Sequence, residues 1–383
     1  TWHLGVGFLG CLVLAFLVPI AVGVLQGYFD TFFYSYLSGW GDEFFEMGIR
    51  ISPVTEYIMR VASYGSGEGM TMAVCVAWGV SVILAVCACL LYRIRPSEAA
   101  GKAMVFGVSR PLVRIPVVIV SGLGLGLLFW SIRESTGWAV FGVICGSVIA
   151  HCVMEMIYHF DLKKLFSCKG QLAGCMLAGV AVLLVFRYDA FGYDTWTPKE
   201  EELASAAVYF GSMSDWTDYG EIVMEEDGYY NWISVDHFSW VFDRMAYTDT
   251  ENILGIAEAG IAKLQEQKER TVLREDEAGY TWGYENAGEI DAEYPDGNYY
   301  IYVCFHLTNG RKVYRQYIIS LNGLEERLDR MITDRQYREG VYPLMNLHAE
   351  EVAGIHFRTT RNDETKLLEL KEEEKKALLE AYQ

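Results

Sequence analysis

The order of apolar and polar positions divides the chain into two unlike halves. Long apolar runs occur only before residue 188, at about 4–25, 70–91, 113–132, 138–158 and 171–186. A helix needs about 20 apolar residues to cross the ~30 Å hydrocarbon core of a bilayer. Four runs reach that length and the fifth is slightly short. The pattern predicts a polytopic α-helical membrane domain over 1–187, with five spans, and a separate soluble domain over 188–383.

The second half predicts an α+β domain with two hairpins. Two β-rich runs flank Asn309-Gly310, a dipeptide that readily forms a type I′ turn because both residues accept positive φ values. A weaker signal of the same kind lies at Asp227-Gly228, where neighbouring acidic residues reduce the β preference.

Three helices are predicted between and after these strands. The first has a capping box of Thr248 and Glu251, the second begins near Leu324, and the third covers 363–383. Their apolar residues recur at the i, i+3, i+4 spacing of one buried helix face. On the first two helices these residues are Ile253, Ile256, Ala257, Ile261, Leu264, Leu324, Leu328, Met331 and Ile332.

Charge is distributed unevenly between the halves. The net charge is −19, yet residues 1–187 carry 12 Lys and Arg against 10 Asp and Glu, whereas 188–383 carry 19 against 40. An acidic domain of this kind is a poor ligand for nucleic acid or anionic lipid. We therefore expect no nucleic-acid partner.

The basic residues of the short loops predict the orientation in the membrane. Loops 92–114 and 159–170 hold eight Lys and Arg, and loops 26–69 and 133–137 hold three. Because cytoplasmic loops are enriched in Lys and Arg, the first pair is expected inside. The interpretation is a multi-pass protein of the cell membrane whose C-terminal domain is extracytoplasmic.

The first apolar run requires a separate decision, since secretory signal peptides also begin with an apolar segment. It lacks a basic leading region and precedes four more runs, so we interpret it as a retained helix. The chain begins with Thr1 inside apolar sequence and ends inside a charged pattern, and we expect both ends to be cuts in a longer protein.

A polar group on the fourth run is the first candidate site. His151, Glu155 and His159 are spaced i, i+4 and i+8, so all three project from one face of a helix. Ionisable residues inside a span are functional candidates. Three interpretations stay open: packing or interfacial roles, handling of an ion or proton, and ligation of a metal such as zinc.

Glycines and aromatic residues characterise the rest of the membrane domain. Small residues let helix backbones approach closely, and they occur at Gly122, Gly124, Gly126, Gly142 and Gly146. Loop 26–69 is rich in Tyr, Phe and Trp. It is interpreted as an interfacial helix, with a substrate gate as the alternative.

The sequence contains no recognisable catalytic motif. A phosphate-binding loop of the form G-x-x-x-x-G-K-[ST] is suggested by Gly101-Lys102, but Pro96 replaces its first glycine and Ala103 its Ser or Thr. The second half shows no nucleophile or metal-ligand spacing. We expect neither enzyme activity, nor a cofactor, nor a resident metal.

Three segments carry a resemblance to a known family. They are "YRIRPSEAAGKAMVF", "AHCVMEMIYHFDLKKLFS" and "FRYDAFGYDTWTPKEEELASA". Together, over roughly 85–320, the chain resembles Gram-positive bacterial ABC transporter permease-like membrane proteins with a C-terminal extracytoplasmic domain of unknown function. The resemblance implies a membrane domain of about six spans and a separate ATPase subunit, and it carries over no catalytic residues.

The loop between the second and third runs is the second candidate site. In such a permease it could dock on the ATPase, and Glu98 and Lys102 would form an i, i+4 pair on a short helix. Asp161–Lys164 offers another cytoplasmic segment. The alternative is that these charges only fix topology and contact lipid headgroups. The candidate docking residues are Arg95, Pro96, Ser97, Glu98 and Lys102.

Three functions follow from these observations. The first is a permease subunit of an ABC-type exporter of an amphiphile, peptide or lipid, with an ABC ATPase subunit, membrane lipid, and a second permease subunit or homodimer as partners. The second is a membrane-anchored sensor or scaffold whose acidic domain binds a peptide or cell-envelope ligand. The third is an intramembrane enzyme that uses His151 and Glu155.

Overall fold

The structure is a computed structural model. It describes residues 2–41, 43–62, 109–159, 168–211, 219–224, 230–277, 298–352, 355–358, 365–368 and 371–382, together with single residues and short groups between 78 and 93 and between 163 and 166.

The described residues form two compact units. The first contains the helices α1 (Trp2–Phe32), α2 (Glu43–Arg50), α3 (Pro53–Ala62), α4 (Ser109–Arg133), α5 (Thr136–His159) and α6 (Lys169–Arg187). The second contains the strands β1 (Leu203–Phe210), β2 (Gly220–Met224), β3 (Tyr230–Ser234), β4 (Asn298–Leu307), β5 (Lys312–Ser320), β6 (Ile355–Arg358) and β7 (Thr365–Leu368). Its helices are α7 (His237–Arg244), most of α8 (Thr250–Glu277), α9 (Glu325–Thr333), α10 (Arg335–Val341) and α11 (Glu372–Tyr382).

Four described helices are long and apolar enough to cross a membrane. Their candidate spans are Ala15–Phe32, Arg110–Arg133, Thr136–His159 and Lys169–Arg187. The last three confirm the predicted runs at 113–132, 138–158 and 171–186. Of the run at 70–91, only part is described, and it contributes a shorter apolar helix at Ser81–Leu90.

Helix α1 contains the first predicted run, 4–25, and continues beyond it to Phe32. Tyr28 and Phe32 are buried in this extension, and the Tyr28 hydroxyl donates to the Leu123 carbonyl of α4 at 3.2 Å. Packing against α4 therefore extends the helix beyond its apolar sequence.

The bundle packs most closely where glycines of α4 and α5 meet. A Cβ atom on Gly142 would lie 2.6 Å from the Leu125 carbonyl oxygen, and one on Gly146 would lie 2.7 Å from that of Ser121. Gly124 differs from the prediction, because it has only an ordinary contact with α1. The predicted glycines at which an added Cβ would come too close to neighbouring atoms are Gly122, Gly126, Gly142 and Gly146.

The core of the second unit is an antiparallel sheet of order β1-β4-β5. Helix α8 packs on it so closely that a Cβ on Gly260 would lie 2.6 Å from the Tyr317 Cβ. The predicted apolar face of α8 is buried except at Ile261, which is half-buried. On α9, Leu328 and Met331 are buried as predicted.

The hairpin at Asn309-Gly310 is confirmed, but its predicted turn type is wrong. Gly310 has a φ of 82°, whereas Asn309 does not have a positive φ. Leu307 N donates to Arg311 O at 2.9 Å, so the loop has three residues. This matches a type I turn followed by a left-handed glycine. The Asn309 side chain accepts from Arg311 N instead.

Other local predictions met mixed outcomes. Strands β2 and β3 pair as the second predicted hairpin, with its turn, 225–229, outside the described residues. The predicted cap Thr248 is wrong: Asp249 Oδ1 accepts from Asn252 N at 3.1 Å, and Thr248 bonds Gln336.

The C-terminal helix is shorter than predicted. The prediction covered 363–383, but Thr365–Leu368 is a strand that pairs with Ile355–Arg358, and α11 begins only at Glu372. Pairing with a distant partner strand overrides a weak local helix preference.

Candidate functional site

The polar residues predicted on the fourth run lie inside the helix bundle. Glu155 is completely buried, with 0 % of its surface exposed, and His151 is nearly so. His159, one turn further along α5, has 26 % of its side chain exposed. The face that carries them is therefore covered by other parts of the first unit over most of its length.

Arg114 supplies the opposite charge. It lies in the second turn of α4, is buried, and donates from Nη1 to Glu155 Oε1. Its Nη2 donates to Gln171 Oε1, near the start of α6. The planar guanidinium presents donors in a fixed fork, so one side chain links α4, α5 and α6.

The two histidines flank the carboxylate. His159 Nε2 lies 3.3 Å from Glu155 Oε2, and His151 Nε2 lies 4.0 Å from Oε1. The second distance is too long for a hydrogen bond. Among the described residues, His151 Nε2 and the Ser147 hydroxyl have no hydrogen-bond partner although both are buried. Ser147, His151, Glu155 and His159 thus form a polar stripe along α5.

The contacts of the stripe are those of an ion pair with flanking histidines. Within the described part of the chain, no group of three or more His, Cys, Asp and Glu side chains is arranged to hold a metal ion. Arg114 occupies one oxygen of Glu155, and the two histidines approach different oxygens. The charges of Arg114 and Glu155 balance, which reduces the cost of placing either in an apolar setting.

Arg114 and Gln171 were missed as site residues in the sequence. Arg114 was counted with the basic residues of loop 92–114 although the apolar run begins at Val113, and Gln171 was counted as the first residue of a run. The sequence did offer a signal: a basic residue, Arg114, stands at the start of one apolar run and an acidic residue, Glu155, inside the next. A buried charge requires a partner, so the two could have been paired.

The predicted docking loop lies outside the described residues, and so do Asp161 and Lys164. The docking residues concerned are Arg95, Pro96, Ser97, Glu98 and Lys102.

A second buried carboxylate belongs to the second unit. Asp194 accepts hydrogen bonds from Ser35 N at 2.9 Å, Ser35 Oγ at 2.7 Å and Tyr34 N at 3.1 Å. Lys268 Nζ of α8 lies 2.6 Å from Oδ2, the oxygen that also accepts from Tyr34 N. Gln316 of β5 donates from N to Ser35 O and from Nε2 to Tyr34 O. Asp194 therefore fixes the short segment 34–37 at the edge of β5.

The sheet also contains a Ser–His contact. Ser205 Oγ lies 3.0 Å from His306 Nδ1, and the two residues are register partners on β1 and β4. Burial, with Lys312 nearby, lowers the pKa of His306. On the same strand, burial raises the pKa of the Cys304 thiol to about 12, so this thiol is a poor nucleophile at neutral pH. Cross-strand pairing explains the Ser–His contact.

Comparison with known proteins covers only the end of the chain. A family described as "Domain of unknown function (DUF6449)" matches residues 305–383. The match begins at Phe305, inside β4, so it takes in part of the central sheet and not β1. No curated protein and no solved structure matches the chain.

Proposed function

We propose that the chain is the membrane-spanning permease subunit of an ABC-type transporter that exports an amphiphile, a peptide or a lipid together with a separate ATPase. Four apolar helices support a multi-pass membrane protein. The resemblance of "YRIRPSEAAGKAMVF" and the two later segments supports the transporter class.

The buried network of Arg114, Glu155 and Gln171 is the observation that carries the proposal. A bundle that only anchors an external domain gains little from it, because apolar replacement of a buried ion pair is often neutral or stabilising. Charged residues retained inside spans are functional candidates by default. One ion pair and one hydrogen bond from Arg114 join three helices, and such side-chain contacts can break and re-form when helices move in a transport cycle.

We place the second unit outside the cell. Arg110 at the start of α4, Lys163 after α5 and Lys169 at the start of α6 mark one end of the bundle. Trp130 and Trp138 mark the other end, and indole rings favour the membrane–water interface. The basic end is then cytoplasmic, and the chain leaves α6 on the outer side.

The resemblance implies a separate ATPase subunit, and the lack of a phosphate-binding loop in the given sequence is consistent with this partner. A permease without its own nucleotide site needs a partner that hydrolyses ATP, and the cytoplasmic loop around Glu98 and Lys102 is its proposed contact.

Purification from native membranes in mild detergent tests this proposal. An ATPase should co-purify, and a transported amphiphile should stimulate its hydrolysis in reconstituted vesicles. Glu155→Gln should reduce the stimulated rate while the ATPase stays bound. Glu134→Gln, at the exposed turn between α4 and α5, is the matched control and should change neither.

Two variants of the docking loop test its contact with the ATPase. Glu98→Ala and Lys102→Ala should lower recovery of the ATPase. If no ATPase co-purifies and no amphiphile changes hydrolysis, the transporter proposal fails and a membrane-anchored sensor or scaffold takes its place.

A further inference from the structure

Helices α2 and α3 present an unusually apolar outer surface. Tyr57 is 71 % exposed and Ile51 62 %, in a segment of about twenty residues. Soluble surfaces rarely expose large contiguous apolar patches, and those that do mark protein or membrane contacts. The exposed apolar side chains of this segment are Phe44, Met47, Ile51, Val54, Tyr57, Ile58, Met59 and Val61.

This surface lies at the depth of the first candidate span. Helix α2 packs on α1 through Phe45, whose ring centroid lies 5.4 Å from that of Phe29. It also packs through Gly48, where a Cβ would lie 2.6 Å from Val22 Cγ2. Val22 lies in the last third of α1, toward the end from which the chain leads to α2. If α1 crosses the bilayer, the exposed apolar residues Phe44, Met47 and Ile51 lie next to the lipid around the spans, on the side of α2 between its packed face and its charged pair.

Several polar groups in the turn between the two helices are satisfied within the protein, although the buried Ser52 hydroxyl has no partner among the described residues. Backbone groups in hydrocarbon must be satisfied within the protein, since water is not available. Thr55 Oγ1 lies within hydrogen-bonding distance of the carbonyl oxygens of Ile49 and Ser52. Ile51 N donates to Met47 O at 3.1 Å, which continues the ladder of α2 into the turn.

The charged residues fit the boundary of a bilayer better than its centre. Glu46 and Arg50 form an exposed i, i+4 pair at 3.5 Å on the side of α2 that faces away from Phe45 and Gly48. Such a pair can reach headgroups while the apolar face stays among acyl chains.

We infer that α2 and α3 form a helical hairpin embedded in the membrane interface, with its exposed apolar face in contact with lipid acyl chains. The inference rests on the membrane crossing of α1 and not on the transport proposal, so either can fail without the other.

Photocrosslinking in vesicles tests the occupant of this face. The full chain is made with p-benzoylphenylalanine in place of Tyr57 or Phe44 and reconstituted in phosphatidylcholine and phosphatidylglycerol vesicles. Both sites are exposed aromatic positions, so the replacement leaves the packed face of each helix intact. The same group in place of Glu46 is the control on the polar side, and products are identified by mass spectrometry.

The two apolar positions should give lipid adducts several-fold more often than the position of Glu46. Equal labelling at all three positions would overturn the inference. So would products that join Tyr57 to another part of the chain, to a second copy or to a partner protein.

Discussion

Among the described residues, each unit buries one carboxylate, and the two are held by different kinds of partner. Glu155, in the bundle, is contacted by the guanidinium of Arg114 and, at longer range, by the two histidines. Asp194, in the second unit, accepts from two backbone amides and one hydroxyl, and adds the ammonium of Lys268.

The difference lies in what each carboxylate organises. Backbone amides belong to a chain segment, so Asp194 determines where residues 34–37 lie. Side chains belong to helices that are already formed by their own hydrogen bonds, so the Glu155 network adds a reversible link between them. The partners also differ in exposure, since the Arg114 side chain is 6 % exposed and that of Lys268 is 21 %. Loss of the carboxylate should therefore be costlier in the bundle.

The largest effect is expected for Glu155→Ala. It leaves the Arg114 guanidinium buried without its counter-charge, and breaking a buried pair in this way costs about 3–5 kcal/mol. Thermal unfolding of the full chain in detergent, followed by tryptophan fluorescence, should show a large drop in melting temperature.

The double variant Arg114→Leu/Glu155→Leu is the control for this prediction. It removes both charges, so it should be more stable than Glu155→Ala. Its loss of stability should also be much smaller than the sum of the losses in Arg114→Leu and Glu155→Leu. Additive losses would mean that the two side chains do not interact.

Asp194→Ala should follow with a smaller loss. It removes the acceptor of the Tyr34 and Ser35 amides, and an unsatisfied buried group costs about 1–3 kcal/mol. Lys268 keeps partial contact with water, which limits the electrostatic part. Ser35→Ala removes one hydroxyl bond and should cost less. Equal losses for the two variants would show that the backbone amides of 34 and 35 do not depend on Asp194.

Gly146→Ala tests whether close helix packing sustains the network. The new methyl group would collide with the Ser121 carbonyl of α4, and overpacking of this kind costs about 1–3 kcal/mol. Gly174→Ala on α6 is the matched control, because a Cβ there meets nothing within 4 Å. It should be neutral or slightly stabilising, since Ala favours helix over Gly. Equal melting temperatures for Gly146→Ala and Gly174→Ala would show that the close packing at Gly146 does not sustain the network.

The same contrast explains how far the sequence could predict the fold. The spans α4, α5 and α6 could be located because length and hydropathy alone determine a helix in lipid. In the second unit, β1 was not predicted: its sequence, LASAAVYF, is rich in small residues and becomes a strand through pairing with β4. Thr365–Leu368 was predicted as part of a helix because its strand structure likewise depends on a partner, β6, that the local sequence does not reveal.

The sites show the same limit. His151, Glu155 and His159 could be grouped because they share one helix and its periodicity. Arg114 lies 41 residues from Glu155, and Asp194 lies 159 from Ser35. Sequence patterns do not encode which helices neighbour each other, so these partners appear only once the packing is known.

The smallest effect is expected from His306, through pH. Burial and the nearby Lys312 lower its pKa from the ordinary value of 6.5, so the folded state binds this proton less readily than the unfolded chain. As pH falls through 6.5, the unfolded state gains the proton first, and stability falls with it. Melting temperatures from pH 8 to pH 5 should decline less steeply in His306→Gln than in the parent chain. An unchanged slope in His306→Gln would show that this imidazole is not the source of the acid sensitivity.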